Sequence, residues 1–93
     1  MYTWEFDKKA FKEFKKLDRY VQKRMVKWLD DHIEGTENPR QWGKALEGDK
    51  KTLWRYRVGA FRMIVDIVDT EFVVLVLKTA KRNDVYKRQT KIS

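Results

Sequence analysis

The stretch of sequence that decides the fold is Leu53-Trp54-Arg55-Tyr56-Arg57-Val58-Gly59-Ala60-Phe61-Arg62-Met63-Ile64-Val65-Asp66. Residue types alternate in both halves of the stretch, which is the pattern of two β-strands with one buried face. Gly59-Ala60 separates the halves, and glycine suits the first central position of a type II′ turn. The stretch therefore predicts a β-hairpin in which Val58 lies opposite Phe61 and Arg57 lies opposite Arg62.

The predicted hairpin has one apolar face and one basic face. Side chains that lie directly opposite each other in an antiparallel pair point to the same side of the sheet. The apolar face carries Trp54, Tyr56, Val58, Phe61, Met63, Val65 and Ile67. The other face carries Arg55, Arg57 and Arg62, with Asp66 further along. Guanidinium groups this close repel one another unless an anion lies between them. The pattern therefore favours a phosphate-binding face over solvated arginines paired with carboxylates.

The rest of the sequence adds strands and helices around this hairpin. Residues 2–6 alternate between aromatic and polar side chains, as in a strand. Asp7 and Asp18 each precede a segment with apolar residues at helical spacing, and aspartate is a favoured N-cap residue. The run 72–77 is apolar on both faces, which indicates a strand that is central in the sheet or covered by the C-terminal segment. Residues 83–88 are expected to form a short final helix.

These elements predict a single α+β domain over residues 1–93. Their order is strand, helix, helix, three strands and a short helix, with the two helices packed on one face of a mainly antiparallel sheet. Residues 36–51 lack periodic patterning and are interpreted as a connector, with Trp42 and Leu46 as its buried residues. The basic face of the sheet is then left open.

Composition limits the classes of function. The 93 residues have a net charge of +8 and no cysteine, which excludes disulfides, thiol catalysis and cysteine-based zinc sites. The single histidine, His32, has no second histidine to share a metal with, so we expect no metal and no cofactor. No apolar run reaches the roughly 18 residues of a membrane span, so we expect a cytoplasmic chain with no membrane contact. The basic charge favours nucleic acid or an acidic protein as partner.

Four segments of the sequence form a recognisable combination: Leu46-Glu47-Gly48, Leu53-Trp54-Arg55-Tyr56-Arg57-Val58-Gly59, Phe61-Arg62 and Lys81-Arg82-Asn83-Asp84-Val85-Tyr86. In these segments the chain resembles the RelE/ParE superfamily of toxins from toxin–antitoxin pairs. Members of the RelE branch cleave messenger RNA in the ribosomal A site, whereas members of the ParE branch inhibit DNA gyrase. A partner antitoxin wraps the toxin in both branches. The resemblance therefore implies a cognate antitoxin, which we expect to be acidic because this chain is basic.

The resemblance to the RelE branch also implies a reaction and a set of residues. The reaction is attack of a ribose 2′-OH on the adjacent phosphate. At the matching positions of this sequence, Arg62 and Arg82 would contact the scissile phosphate. Tyr86 would orient the substrate base or stack on it.

Other basic residues complete the expected site. Arg55 and Arg57 stand where some relatives carry lysines, and arginine stays protonated in proteins. They are therefore assigned to electrostatic stabilisation of the phosphate, with Lys50 and Lys51 as further substrate-binding candidates. Lys81 is the nearest side chain that can titrate, and it is the candidate for a proton transfer.

The sequence leaves more than one function open. We favour a ribosome-dependent, metal-independent mRNA endonuclease, because the clustered arginines and the Lys81-Arg82…Tyr86 motif suit RNA cleavage. The alternative is a ParE-like inhibitor that binds DNA gyrase and cleaves no RNA. A nucleic-acid-binding module without toxicity is a third interpretation.

Overall fold

The computed structural model of the chain describes residues 1–46 and 52–81. Five strands form one sheet in these ranges: β1 (Thr3–Phe6), β2 (Lys44–Ala45), β3 (Leu53–Val58), β4 (Phe61–Val68) and β5 (Val73–Lys81). The α-helices there are α1 (Lys8–Lys15) and α2 (Arg19–His32), and short 3-10 helices occupy Pro39–Gln41 and Asp69–Glu71. Neither α-helix has the length and apolar character needed to cross a bilayer. The predicted helix at 83–88 lies outside the described residues.

The sheet has the strand order β1-β5-β4-β3-β2. β1 runs parallel to β5, and the other three neighbouring pairs are antiparallel. This confirms the predicted α+β class with a mainly antiparallel sheet. The connector adds one strand that was not predicted, β2, in which Lys44 lies opposite Arg55. Two residues are too few for alternation to be recognised in a sequence.

The hairpin of β3 and β4 has the predicted register. Val58 lies opposite Phe61, and Arg57 lies opposite Arg62. Gly59 has a φ of +60°, and the residue after it is not in the positive-φ region. That combination is the one that a type II′ turn requires. The prediction of the turn and of the faces on either side of it is confirmed.

The core lies between the helices and one face of the sheet. Side chains with no exposed surface are contributed by α2 and its C-cap and by three strands: Met25, Leu29, Ile33, Tyr56, Met63, Val65, Ile67, Val74 and Val76. Asp7 caps α1, and its carboxylate accepts a hydrogen bond from the backbone nitrogen of Lys9. Asp18 occupies the N-cap position of α2 but makes no capping hydrogen bond with its side chain. The two helices thus cover the apolar face, as predicted.

β5 lies between β1 and β4, as the apolar run predicted. The strand begins at Val73, one residue later than the run. Phe72 is instead exposed, with a φ of +55°, because it ends the preceding 3-10 turn and donates its backbone N–H to the carbonyl of Asp69. The chain thus turns through Asp69–Glu71 between β4 and β5, and the residue that ends the turn lies outside the sheet.

A β-bulge interrupts the pairing of β4 with β5. Ile64 lies opposite Lys78, whereas the next residue, Val65, lies opposite Val76. Leu77 is therefore an extra residue on β5. An extra residue reverses the side of the sheet to which the following side chains point.

The bulge decides where the end of β5 points. Thr79 follows the bulge and is buried on the helix-bearing side. Lys81 lies opposite Phe61, and it therefore shares the helix-bearing side with that ring. Ala80 lies opposite Arg62, on the open face. Without the bulge, alternation from the buried residues Val74 and Val76 would place Ala80 on the helix-bearing side and Lys81 on the open face.

Side chains of β3 hold the connector against the sheet. The Tyr56 hydroxyl donates a buried hydrogen bond of 2.6 Å to the carbonyl of Pro39, and burial raises the pKa of that hydroxyl. The Trp54 indole donates to the carbonyl of Trp42. Trp42 is half-buried against the core, and Leu46 is also half-buried. The connector is thereby fixed beside β3 before it forms β2.

The outer edge of β1 is covered by the turn that follows α2. The backbone nitrogen of Tyr2 donates to the carbonyl of Thr36 at 2.9 Å. The Glu34 carboxylate accepts from the Thr3 hydroxyl at 2.8 Å and from the backbone nitrogen of Trp4 at 3.4 Å. The first half of this edge strand thus has hydrogen-bond partners within the chain.

An ion pair links the connector to the β4–β5 turn. The Arg40 guanidinium donates two hydrogen bonds to the Asp69 carboxylate, at 3.0 and 2.9 Å. The Tyr2 hydroxyl donates to the same carboxylate. The guanidinium and the hydroxyl together hold the pKa of Asp69 below its usual range. Three segments distant in sequence are thus joined at one point.

Candidate phosphate-binding face

The clustered arginines lie on the open side of the sheet, away from the helices. Arg57 and Arg62 are directly opposite each other on β3 and β4. Arg55 precedes Arg57 by two residues, a distance of about 7 Å along a strand, and points to the same side. The predicted grouping of the three arginines is confirmed by the register of the hairpin.

Two lysines that the sequence patterns did not single out join this group. Lys44 lies opposite Arg55, and Arg55 lies opposite Ile64, which in turn lies opposite Lys78. These four residues form one row across four strands of the open side. We use the term basic face for the side chains of Lys44, Arg55, Arg57, Arg62 and Lys78.

The cations of the basic face have no carboxylate partner within residues 1–46 and 52–81. The ion pairs in these ranges join Lys27 to Asp31, Arg40 to Asp69 and the N-terminal amine to Glu37. The side chains of the basic face are exposed or half-buried, so they are accessible to a ligand. Unneutralised charges of one sign concentrate anions at a surface. The geometry therefore favours an anion site over arginines paired with acids.

A pocket lies at the β2 end of the basic face. Its volume is about 250 Å³, and it is lined by Gly43, Lys44, Arg55 and Arg57. Gly43 has a φ of +75°, and a Cβ at this position would overlap the carbonyl oxygen of Arg55. A residue without a side chain is therefore needed for the connector to approach β3 and place Lys44 beside Arg55.

α2 supports the turn of the hairpin from the other side of the sheet. A Cβ added at Gly59 would lie 3.0 Å from both terminal nitrogens of the Arg24 guanidinium. Arg24 itself lies over the ring of Tyr20, 6.0 Å from its centroid. The helix thus contacts the backbone that carries Arg57 and Arg62, and sequence patterns gave no signal of this contact.

Of the other predicted site residues, only Lys81 lies within the described ranges, and it is not grouped with the arginines. Lys81 is exposed at the end of β5 and lies opposite Phe61, on the helix-bearing side. Arg62 points to the open side, so the described structure does not bring Lys81 and Arg62 onto one face. The remaining candidates lie outside the described residues: Lys50, Lys51, Arg82 and Tyr86.

The basic face can stabilise negative charge, and its described side chains are all arginines and lysines, with no histidine or carboxylate among them. His32 belongs to α2, where its ring stacks on Trp28 with centroids 4.5 Å apart. Its Nδ1 lies 2.9 Å from the Trp28 carbonyl oxygen. Among the described residues, no three histidine, aspartate or glutamate side chains group as metal ligands would. Fixed cations of this kind bind phosphates and stabilise charge that develops on them.

Known proteins share this architecture. The family model described as the ParE toxin of type II toxin–antitoxin system, parDE, matches residues 4–86. The mRNA interferase toxin RelE of Escherichia coli K12 is 30% identical over an alignment that covers 97% of this chain and 95% of that protein. The crystal structure of the isolated E. coli RelE toxin aligns with a TM-score of 0.70 and 25% identity, over 98% of this chain and 97% of that chain.

A structure of a toxin bound to its antitoxin is also similar. A mutant of E. coli RelE in complex with a peptide of the antitoxin RelB aligns with a TM-score of 0.72 and 26% identity. The alignment covers 95% of this chain and 93% of that chain. The family model and these relatives cover nearly all of the sequence, including both strands of the arginine hairpin. The chain therefore belongs to the ParE toxin family of type II toxin–antitoxin systems, within the RelE/ParE superfamily.

Proposed function

We propose that the chain is a toxin that cleaves messenger RNA on the ribosome, in the cytoplasm. The observation that carries the proposal is the basic face, where five cations have no acidic partner in the described part of the chain. A relative named mRNA interferase, 30% identical over nearly the whole chain, supports RNA as the substrate class. A single strand of RNA presents one phosphate per nucleotide, which suits a row of fixed cations.

The proposed reaction is an internal transfer at phosphorus. The ribose 2′-oxygen loses its proton and attacks the adjacent phosphorus, and the bond from phosphorus to the 5′-oxygen breaks as that oxygen accepts a proton. Arg62 and Arg82 are proposed to hold the scissile phosphate, and Arg55 and Arg57 to stabilise the added negative charge. Tyr86 is proposed to position the base. Cations of the protein then supply the charge stabilisation that a metal ion supplies elsewhere.

The composition of the basic face is compatible with the proposed dependence on the ribosome. Its described side chains are arginines and lysines, and arginine does not act as an ordinary general base. Holding the 2′-oxygen in line with the leaving oxygen contributes large rate factors without any base. The ribosome is proposed to supply this positioning, and the additional loop cations Lys50 and Lys51 to hold the RNA strand.

We also propose an acidic antitoxin as the cognate partner, assembled with this chain in a hetero-oligomer. The complex of a RelE toxin with an antitoxin peptide supports this partner class. The net charge of +8 favours encounter with an acidic chain, and charge-assisted hydrogen bonds to the basic face would strengthen the contact. Binding there would also exclude RNA.

Brief induction of the chain in bacteria distinguishes the proposal from its alternative. We expect translation to stop, with messenger RNAs cut inside their reading frames. Intact messenger RNA together with DNA damage and altered plasmid supercoiling would instead establish gyrase inhibition. Growth unaffected by the chain alone would contradict both toxin functions and favour a binding module.

The position of Lys81 leads to a specific expectation for proton transfer. Because Lys81 lies on the helix-bearing side, opposite Phe61, we expect it to act as a positive charge at the end of the sheet. Lys81→Arg should then keep most of the single-turnover cleavage rate on programmed ribosomes, whereas Lys81→Ala should reduce it. If both variants lose activity equally, by about 10²- to 10⁴-fold, Lys81 takes part in proton transfer.

A further inference from the structure

We propose that Lys44 forms a second phosphate subsite, which binds the phosphate next to the scissile one on the same RNA strand, with Arg55 shared between the two phosphates and Arg57 left to the scissile one. This inference rests on the proposed function and assigns Lys44 to substrate binding. Lys44 lies on a strand of two residues that no sequence pattern revealed. The proposed subsite is the Lys44 side of the pocket that this residue lines with Gly43, Arg55 and Arg57.

The spacing of the basic face suits two phosphates. Arg57 and Arg62 form one row of directly opposed residues, and Lys44 and Arg55 belong to the next row. The rows are about 7 Å apart along the strands. Successive phosphates of an extended RNA strand have a similar separation. A strand that places one phosphate beside Arg62 therefore brings its neighbour towards the pocket.

Contacts between the connector and β3 fix the position of Lys44. Its strand pairs with β3 at Arg55 and at Trp54. The residue before it, Gly43, approaches the backbone of Arg55 too closely for any side chain. One residue earlier, the carbonyl of Trp42 accepts a hydrogen bond from the Trp54 indole. The backbone of Lys44 is thus held on β3, whereas its side chain remains exposed.

The chemistry of the pocket points to a phosphate. An arginine guanidinium binds phosphate through two parallel hydrogen bonds, and a lysine ammonium adds a compact charge with rotatable donors. Among the described residues, every side chain that lines the pocket is a cation, and none of these cations is paired with a carboxylate of the described ranges. Lys27 on α2 offers a contrast, because its ammonium lies 3.0 Å from the Asp31 carboxylate.

The test uses single-turnover cleavage on ribosomes programmed with three messenger RNAs. One carries natural phosphates, and the other two carry a neutral methylphosphonate on the 5′ or the 3′ side of the scissile phosphate. We expect Lys44→Ala to raise the toxin concentration for half-maximal rate about tenfold on natural RNA, with the maximal rate nearly unchanged. One of the two methylphosphonates should have the same effect on the wild-type chain and little further effect on Lys44→Ala.

Matched variants separate a local contact from a loss of net charge. Lys27→Ala removes one positive charge on the other side of the sheet and should behave like the wild-type chain. Lys44→Arg should restore tight binding, because the charge returns to the same strand position.

Three results would overturn the subsite. The first is unchanged half-maximal concentration for Lys44→Ala in a preparation whose wild-type chain cleaves. The second is independent, additive effects of the variant and of both methylphosphonates. The third is a Lys44→Ala variant that binds an acidic antitoxin peptide more weakly but cleaves RNA like the wild-type chain, which would assign Lys44 to the protein partner. A wild-type chain that cleaves no RNA would instead reject the proposed function itself.

Discussion

An Arg62→Ala variant should lose mRNA cleavage by about 10²- to 10³-fold, the effect of removing one fixed donor to a developing oxyanion. It should unfold at nearly the wild-type temperature, because Arg62 lies on the open side and pairs with no carboxylate in the described part of the chain. Single-turnover cleavage on programmed ribosomes and thermal unfolding of the same preparation measure the two quantities.

Arg19→Ala is the matched control for this variant. Arg19 is exposed at the start of α2, on the other side of the sheet, and its removal changes the net charge equally. Cleavage by Arg19→Ala should stay close to that of the wild-type chain. If Arg62→Ala unfolds as readily as a core variant, the assignment of Arg62 to an accessible face is wrong.

A large loss of stability is expected for Leu29→Ala. Leu29 has no exposed surface and lies among the α2 residues that pack on the sheet. Truncation of a fully buried leucine costs about 2 to 5 kcal/mol in the free energy of unfolding. For a chain of this size, that cost lowers the unfolding temperature by more than about 10 °C. Thermal unfolding followed by circular dichroism measures the shift.

An exposed position on the same helix provides the comparison. Lys23→Ala changes a solvated side chain and should shift the unfolding temperature by only a few degrees at most. Trp28 and Phe61 share the apolar pattern but are half-buried, so truncating either removes less buried surface than their size suggests. A Leu29→Ala chain as stable as Lys23→Ala would show that α2 does not pack on the sheet through Leu29.

The hairpin could be predicted from local chemistry alone. Alternation identifies the buried face, and the glycine at position 59 gives a two-residue turn, which fixes every opposite pair up to Arg55 and Ile64. The N-cap of α1 follows from the aspartate at position 7 for a similarly local reason. Such features depend on a few neighbouring residues, so they are readable before any tertiary contact is known.

The side of the sheet on which Lys81 lies could not be predicted from neighbouring residues. Its side depends on the extra residue Leu77, and a bulge arises from the pairing of two strands rather than from either strand alone. The role of Lys44 could not be predicted for a related reason. Its strand forms because Gly43, which has no side chain, allows the connector to approach β3 closely. The resemblance of the sequence motifs identified the family, but it did not reveal which cations lie on the same face of the sheet.

The covered edge of β1 has a consequence for self-association. Free strand edges invite pairing with another copy of the same chain, and that pairing starts aggregation. Here the turn after α2 and the Glu34 carboxylate occupy backbone donors at the beginning of β1. At the other end of the sheet, β2 offers only two residues. Among the described residues, the turn after α2, the Glu34 carboxylate and the shortness of β2 thus limit the strand edge that is free to pair with a second copy.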